Sequence, residues 1–186
     1  MKIVCYGDSN TYGYDAADVF GGRLPPEERW PDILADLLGA EVMNCGMNGR
    51  TVPRWKRALD ADLRLIMRAA PFDQLIIMLG SNDLLTDREP EETADLMHAL
   101  LLELQRLYPS SQILLIAPPP VRGFDLLFEE LSECYRALAE SMQISFADAG
   151  NWAIDISADD VHFSPRGQQM FAEMVAKRIK KESPEA

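Results

Sequence analysis

The sequence predicts a three-layer α/β/α sandwich built on a parallel sheet, and three observations predict it. Apolar segments of strand length alternate along the chain with segments of helical periodicity, as in parallel α/β proteins. The apolar segments do not alternate between polar and apolar residues, so helices must cover both faces of the sheet. The length of 186 residues suits one domain with a sizeable core. We therefore expect residues 1–186 to form a single domain whose sheet has five parallel strands in the order 2-1-3-4-5.

Five apolar segments are predicted as the strands of this sheet. In chain order they are KIVCY at 2–6, EVMNC at 41–45, QLIIML at 74–79, QILLIA at 112–117 and ISFAD at 144–148. The third is the most strongly apolar, which favours a central position in the sheet.

The segments between the strands have the period of amphipathic helices. The predicted helices cover 30–38, 55–69, 91–108, about 127–142 and 165–181. Pro31 lies in the first turn of the first of these helices, where its missing N–H leaves no hydrogen bond unmade.

Composition excludes several classes of partner. A formal net charge of −12 argues against nucleic acid and against an anionic membrane surface, since both require a basic face. No apolar run approaches the roughly 20 residues that span a bilayer. The first strand starts at Lys2 and leaves no room for a signal peptide, so we expect a cytoplasmic protein. Cys5, Cys45 and Cys134 have unrelated spacings and are expected to be reduced core thiols.

Short polar or glycine-rich turns follow the first three strands. They are GDSN at 7–10, NCGMNGRT at 44–51 and GSND at 80–83. Right-handed crossovers place the carboxyl ends of all parallel strands at one edge of the sheet, where ligands bind. In the order 2-1-3-4-5 these turns are spatial neighbours, and ADDVHFSP at 158–165 precedes the last helix. We therefore expect the chemistry at this edge.

Ser9 is the candidate nucleophile, and a serine hydroxyl needs a base to take its proton. The sequence has two histidines. His98 lies two positions from Leu96, which turns it away from the apolar stripe of its helix toward solvent. His162 lies in a loop rich in carboxylates and is the candidate base by elimination.

Three carboxylates are placed to orient His162, namely Asp155, Asp159 and Asp160. Residues three apart in a tight turn share a side, whereas residues two apart do not. We therefore prefer Asp159, which would hold the histidine tautomer and stabilise the imidazolium without taking the proton.

Three N–H groups are candidate donors to the oxyanion of an acyl-transfer reaction. They are the backbone N–H of Ser9, the backbone N–H of Gly49 and the side-chain amide of Asn82. One such donor is worth roughly 10²–10³ in turnover. Each short motif also has an ordinary structural explanation as a turn or a helix cap, but their joint occurrence at successive strand ends favours a functional site.

The four blocks together resemble those of the SGNH hydrolases, also called GDSL-type esterases. The resemblance covers nearly the whole chain, and it is greatest to the bacterial arylesterase and acyltransferase branch. The similar segments are GDSNTYGY at 7–14, RWP at 29–31, IAPPPV at 116–121 and FADAG at 146–150. The resemblance implies a flavodoxin-like sandwich and a serine esterase.

Two positions depart from the family pattern. Asn10 stands where the nominal GDSL motif has leucine, and Asp160 stands where glycine is common. Neither departure is expected to affect a catalytic role. No GxSxG elbow surrounds Ser9, which disfavours the α/β-hydrolase fold.

We expect a serine esterase that hydrolyses short-chain aryl or alkyl esters through an acyl-enzyme, with acyl transfer as a second outcome and with no metal or cofactor. Trp30, Leu84, Val121 and Phe124 could wall a narrow apolar substrate cleft, or could equally pack against the core or a partner subunit. The proline-rich loop at 118–120 and the insertion at 10–29 could form the interface of a homo-oligomer.

Three alternatives remain open at this point. A carbohydrate O-deacetylase would share the same blocks. A metal-dependent phosphoesterase would bind a divalent ion through the acidic residues of the loops and the loop histidine, namely Asp8, Asp83, Asp159, Asp160 and His162. A flavin-binding or other non-catalytic module is the third.

Overall fold

A parallel sheet of five strands forms the centre of residues 1–182, which are the residues described by the structure, a computed structural model. The strands are β1 Lys2–Gly7, β2 Glu41–Gly46, β3 Gln74–Met78, β4 Gln112–Ala117 and β5 Ser145–Asp148. Their order is β2-β1-β3-β4-β5, as predicted. Each strand begins and ends within one residue of its predicted bounds. The three central strands β1, β3 and β4 are buried along almost their whole length, as expected for apolar runs covered on both faces, whereas the edge strands β2 and β5 are mostly half-buried.

Helices connect the strands and cover the sheet. They are α1 Ser9–Tyr12, α2 Trp30–Leu38, α3 Lys56–Met67, α4 Ser81–Leu84, α5 Pro90–Leu107, α6 Asp125–Met142 and α7 Pro165–Glu182. The five long helices correspond to the predicted ones. The single-turn helices α1 and α4 replace two of the predicted polar turns, and each begins at a serine.

Two hydrophobic cores lie on opposite faces of the sheet. On β1, Ile3 and Cys5 belong to the core beneath α2 and α7, whereas Val4 and Tyr6 belong to the core beneath α3, α5 and α6. All four side chains are fully buried. This two-sided burial is the physical reason that the strand sequences are apolar at successive positions, and it confirms the predicted three layers.

The carboxyl ends of three neighbouring strands lie at the same level of the sheet. Gly7, the last residue of β1, pairs with Gly46 of β2 and with Met78 of β3. A Cβ at Gly46 would lie 2.1 Å from the backbone nitrogen of Tyr12, so the missing side chain lets α1 pack directly against the end of β2. The polar segments that follow β1, β2 and β3 therefore start side by side.

The three cysteines are free thiols, but only two of them lie in the core. Cys5 and Cys45 are buried and Cys134 on α6 is partly exposed, which corrects the prediction for Cys134. Burial raises the pKa of all three thiols. Among residues 1–182, no helix is long and apolar enough to cross a bilayer.

Candidate active site

Ser9 is the first residue of α1, and Asp8 alone separates it from the buried end of β1. Asp8 caps this helix, since its carboxylate accepts the N–H of Asn10 at 3.0 Å. Burial raises the pKa of Asp8 to about 6, although the Asn10 N–H and the nearby charges of His162 and Arg50 oppose the rise. The cap holds Ser9 in a fixed orientation while leaving 8% of the residue exposed at the sheet edge.

The structure brings Ser9 into contact with His162, although 153 positions separate the two residues in the chain. The Nε2 atom of His162 lies 2.9 Å from the Oγ atom of Ser9. The His162 side chain is 19% exposed, so its ring is largely shielded from water. His98 is exposed on α5, as predicted, and plays no part in this contact.

Asp159 binds the other side of the His162 ring. Its Oδ2 atom lies 2.6 Å from His162 Nδ1, and its Oδ1 atom accepts the backbone N–H groups of Val161 at 3.1 Å and His162 at 3.0 Å. When Nδ1–H is donated to Asp159, Nε2 has the free lone pair that can accept the Ser9 proton. Partial burial raises the pKa of Asp159, but the hydrogen bonds from the His162 ring and the two amides outweigh it, so the net pKa is lowered.

The two other carboxylates considered for this position contact different partners. Asp155 accepts the hydroxyl of Ser164, and Asp160 lies 3.5 Å from the guanidinium of Arg122. The three-residue spacing of Asp159 is what allows its carboxylate to reach the ring, as the turn geometry predicts.

The second and third polar blocks are bound to one another. The side-chain amide of Asn82 donates to the carbonyl of Arg50 at 3.0 Å, and the carboxylate of Asp83 accepts the N–H of Val52 at 3.0 Å. Gly49 is exposed with a φ of +70°, a left-handed conformation that favours glycine. The segment that follows β2 is therefore held by the one-turn helix that follows β3.

Arg50 fixes the same segment to the end of β1, and sequence reasoning missed it. Its Nη1 atom donates to the carbonyl of Gly7 at 2.7 Å and to that of Cys45. Its guanidinium lies 4.4 Å from the centre of the Tyr6 ring and 3.5 Å from Asp62, and the residue is 4% exposed. A single arginine in a loop usually indicates a solvated side chain, so the sequence offered no signal for this buried cation.

Tyr14 is a second residue that sequence reasoning missed. Its ring lies 4.5 Å from the His162 ring, centre to centre, at an angle of 41°. An isolated antiparallel bridge to Arg23 pairs the backbone of Tyr14 with a later part of the same loop. No periodicity marks this loop, so the contact could not be predicted.

Three of the four residues expected to wall an apolar substrate cleft are buried in the two cores instead. Trp30 and Leu84 are each 1% exposed and belong to the two cores. Trp30 packs edge-on against Phe171 at 5.0 Å, because it begins a helix whose apolar face lies against α7. Val121 is 7% exposed and belongs to the same core as Leu84, so Phe124, at 38% exposed, is the one exposed residue of the four.

An open cleft instead adjoins Gly49. It has a volume of about 370 Å³, and its walls include Gly49, Trp55, Asp62 and Arg88. Trp55 is 67% exposed and supplies a large apolar surface at the rim. This cleft is polar and charged on one side, unlike the apolar cleft that the sequence predicted.

The acidic residues of the metal-dependent alternative do not converge on one point. Asp83 forms a buried ion pair with Arg88, and Asp160 lies 3.5 Å from the exposed guanidinium of Arg122, so each carboxylate already faces a cation. Within the described residues, no three or more His, Cys, Asp or Glu side chains are grouped so as to hold a metal ion. This arrangement disfavours a metal-dependent phosphoesterase.

Replacing Arg88 with methionine is expected to destabilise the fold in a pH-dependent way. Asp83 is fully buried, and burial raises its pKa to about 6 even though the Val52 N–H and Arg88 oppose the rise. Without Arg88, a buried carboxylate is left unpaired, which costs about 3–5 kcal/mol of unfolding free energy at pH 7. Because the folded-state pKa is raised, Asp83 takes up a proton as the pH falls, and the loss should be smaller at pH 5. Urea unfolding at both pH values measures it.

Two controls accompany this measurement. The double variant Asp83→Asn/Arg88→Met should recover much of the loss, since it has no buried charge. Arg54→Met removes a half-exposed arginine 3.7 Å from Glu92 and should cost at most about 1 kcal/mol. An equal loss at pH 5 and pH 7 in Arg88→Met would contradict the assignment of an ionised, arginine-paired Asp83.

The fold and the residues at the carboxyl ends of its parallel strands together have the parts of a hydrolase with a serine nucleophile. A hydroxyl, an imidazole and a carboxylate are linked one to the next by hydrogen bonds. Comparison with known proteins agrees with that class. A family model described as the GDSL-like lipase/acylhydrolase family matches residues 5–170, and the chain belongs to this family.

Solved structures and one curated relative are similar along almost the whole chain. A carbohydrate acetylesterase from Sinorhizobium meliloti is 27% identical with a TM-score of 0.86, covering 98% of this chain and 99% of its own. The aryl esterase of M. smegmatis is 27% identical with a TM-score of 0.82, covering 97% and 98%. A GDSL esterase/lipase of Arabidopsis thaliana is 26% identical over 97% of this chain and 86% of its own. The protein is a carboxylic ester hydrolase.

Proposed function

We propose that the protein hydrolyses short-chain carboxylic esters through an acyl-enzyme on Ser9, with His162 as general base and Asp159 as the orienting carboxylate. The observation that supports this most directly is the contact of 2.9 Å between Ser9 Oγ and His162 Nε2, whose ring binds Asp159 at 2.6 Å. Both distances are those of hydrogen bonds, so the proton path needs no rearrangement of the loops.

In the first step Ser9 Oγ bonds to the ester carbonyl carbon as its proton passes to His162 Nε2. The carbon–oxygen bond to the alcohol then breaks, and His162 returns the proton to the leaving alkoxide oxygen. In the second step water gives a proton to His162 and bonds to the acyl carbon. The bond between the acyl carbon and Ser9 Oγ then breaks, and His162 passes the proton to Ser9 Oγ, which releases the acid and restores the hydroxyl. An alcohol in place of water gives acyl transfer.

Three donors are proposed for the negative charge on the carbonyl oxygen, namely the N–H groups of Ser9 and Gly49 and the side-chain amide of Asn82. Two features support this set. Asn82 uses one N–H to bind the Arg50 carbonyl and has a second one to offer. Gly49 is exposed on a segment that Arg50 fixes to the carbonyl of Gly7, two positions before Ser9.

Replacing Asn82 with alanine is expected to lower kcat about 10²–10³-fold with little change in KM, because the oxyanion forms only after substrate binds. Steady-state hydrolysis of p-nitrophenyl acetate measures both constants. Gln105→Ala is the matched control, since the Gln105 amide also donates to a backbone carbonyl, that of Met142 at 3.1 Å. A wild-type kcat in Asn82→Ala would remove Asn82 from the proposed set.

Carbohydrate O-deacetylation is a second candidate, and the Sinorhizobium meliloti carbohydrate acetylesterase supports it. The open, charged cleft beside Gly49 also suits a polar alcohol group better than it suits a long acyl chain. Both candidates share the same acyl-enzyme and differ in the alcohol that leaves.

A panel of acetyl, butyryl, long-chain, aryl and sugar esters tests the proposal. We expect the acetyl and butyryl esters to react fastest and a chelator to have no effect. A strong preference for long-chain esters would contradict the short-chain assignment. Preference for sugar acetates over aryl acetates would favour the deacetylase, and loss of turnover with a chelator would contradict both.

A further inference from the structure

Asn10 joins the helix of the nucleophile to the loop of the base. Its side-chain Oδ1 atom accepts the backbone N–H of Phe163 at 2.8 Å, and its Nδ2 atom donates to the backbone carbonyl of Val161 at 3.3 Å. Val161 and Phe163 are the two neighbours of His162 in the chain. One carboxamide therefore binds the backbone on both sides of the histidine.

The backbone of Asn10 is itself fixed in the core. Its carbonyl accepts the side-chain amide of Gln168 on α7 at 3.0 Å, and the oxygen of the same Gln168 amide accepts the N–H of Trp30 on α2 at 2.9 Å. Asn10 is 6% exposed and Gln168 is fully buried. The carboxamide thus extends from a rigid position toward the His162 loop.

The hydrogen bonds made by the backbone of His162 itself stay inside its own loop. The N–H of Ser157 donates to the carbonyl of His162 at 2.7 Å, and the N–H of His162 donates to Asp159 at 3.0 Å. These bonds shape the turn and hold the ring on Asp159. Neither of them reaches α1, whereas the two bonds from Asn10 join α1 directly to this loop.

We infer that Asn10 is a positioning residue that sets the separation of Ser9 Oγ and His162 Nε2 through the backbone of the histidine loop. The inference rests on the proposed function, since it gives Ser9 and His162 their roles. Asparagine supplies one acceptor and one donor on the same short side chain, which is what an N–H and a carbonyl two residues apart require. Leucine has nearly the same shape and offers neither.

Asn10→Leu is the test, with a fluorophosphonate as the probe of Ser9. Displacement of the base by about 1 Å can cost about 10²-fold, so we expect kcat and the rate of Ser9 labelling to fall together by about 10- to 100-fold, with KM nearly unchanged. The end point of labelling should still be one fluorophosphonate per chain. A purely structural role would instead lower the fraction of chains that label and leave the rate per labelled site unchanged.

Two further variants complete the experiment. Asn10→Ser supplies one hydroxyl that can make one of the two bonds, so its labelling rate should lie between those of the wild type and Asn10→Leu. If the leucine variant does not fold, the serine variant provides the test. Ser111→Ala removes a hydrogen bond of 2.7 Å to the Phe72 carbonyl near the opposite edge of the sheet and should label at the wild-type rate.

A labelling rate per site within about twofold of the wild type in both Asn10 variants would overturn the inference while leaving the proposed function in place. Absence of labelling and of ester hydrolysis in the wild-type protein would overturn the proposed function itself.

Discussion

Ser9→Ala is expected to lower the hydrolysis of p-nitrophenyl acetate by about 10⁴-fold or more, because the acyl-enzyme cannot form without the hydroxyl. The substitution removes one oxygen atom from a residue that is 8% exposed, so the fold should be retained. The backbone N–H of residue 9 stays in place, and the oxyanion donors would support only a small residual rate with water as the nucleophile. Initial rates with the purified variant measure the effect.

Ser132→Ala is the matched control for this prediction. Ser132 lies on α6 and is 6% exposed, so the substitution removes a hydroxyl that is buried to the same degree. Its kcat should equal that of the wild type. Retention of most of the activity in Ser9→Ala would mean that another group attacks the ester.

Asp159→Asn is expected to lower kcat by about 10³–10⁴-fold, by analogy with the same substitution in serine proteases. Both oxygens of Asp159 accept hydrogen bonds, one from the His162 ring and one from the amides of Val161 and His162. Asparagine has one acceptor oxygen and one NH₂ group. If the oxygen accepts the His162 ring, the NH₂ group faces the N–H groups of Val161 and His162, and donor meets donor. If the NH₂ group faces the ring, it donates to Nδ1, which favours the His162 tautomer whose Nε2 carries a proton. In that tautomer the ring cannot accept the proton of Ser9.

The pH dependence of stability supplies a second readout for Asp159. The net pKa of Asp159 is lowered in the folded protein, so its interactions stabilise the fold above the unfolded pKa and are lost as the pH falls through the folded one. The asparagine variant should not show this loss of stability at low pH. Asp160→Asn is the control, because Asp160 is exposed and contacts Arg122, 3.5 Å away. Wild-type kcat in Asp159→Asn would contradict the orienting role.

The strands and their common edge could be predicted because both depend on local patterns. Buried parallel strands require apolar residues at successive positions, and the segments such as QILLIA at 112–117 satisfy this without help from the rest of the chain. The chain direction then places Ser9, Gly49 and Asn82 at one edge. The three-residue spacing of Asp159 and His162 is likewise a local property.

The residues that hold this site together could not be predicted, because their contacts join segments far apart in the chain. Arg50 binds the carbonyl of Gly7, 43 positions away, and Asn10 binds the N–H of Phe163, 153 positions away. Neither side chain carries a periodic signal. The position of Trp30 was left open between a cleft and the core for a related reason: an aromatic residue at the border of a loop and a helix has the same local sequence in both cases.

The proposed esterase mechanism requires that His162 activates the hydroxyl of Ser9. Mass spectrometry of the wild-type protein after reaction with a fluorophosphonate tests this requirement most directly. We predict a single adduct per chain on the peptide that contains Ser9, appearing at the same rate as ester hydrolysis disappears. An adduct on any other residue, or complete loss of hydrolysis with Ser9 unmodified, would contradict the account.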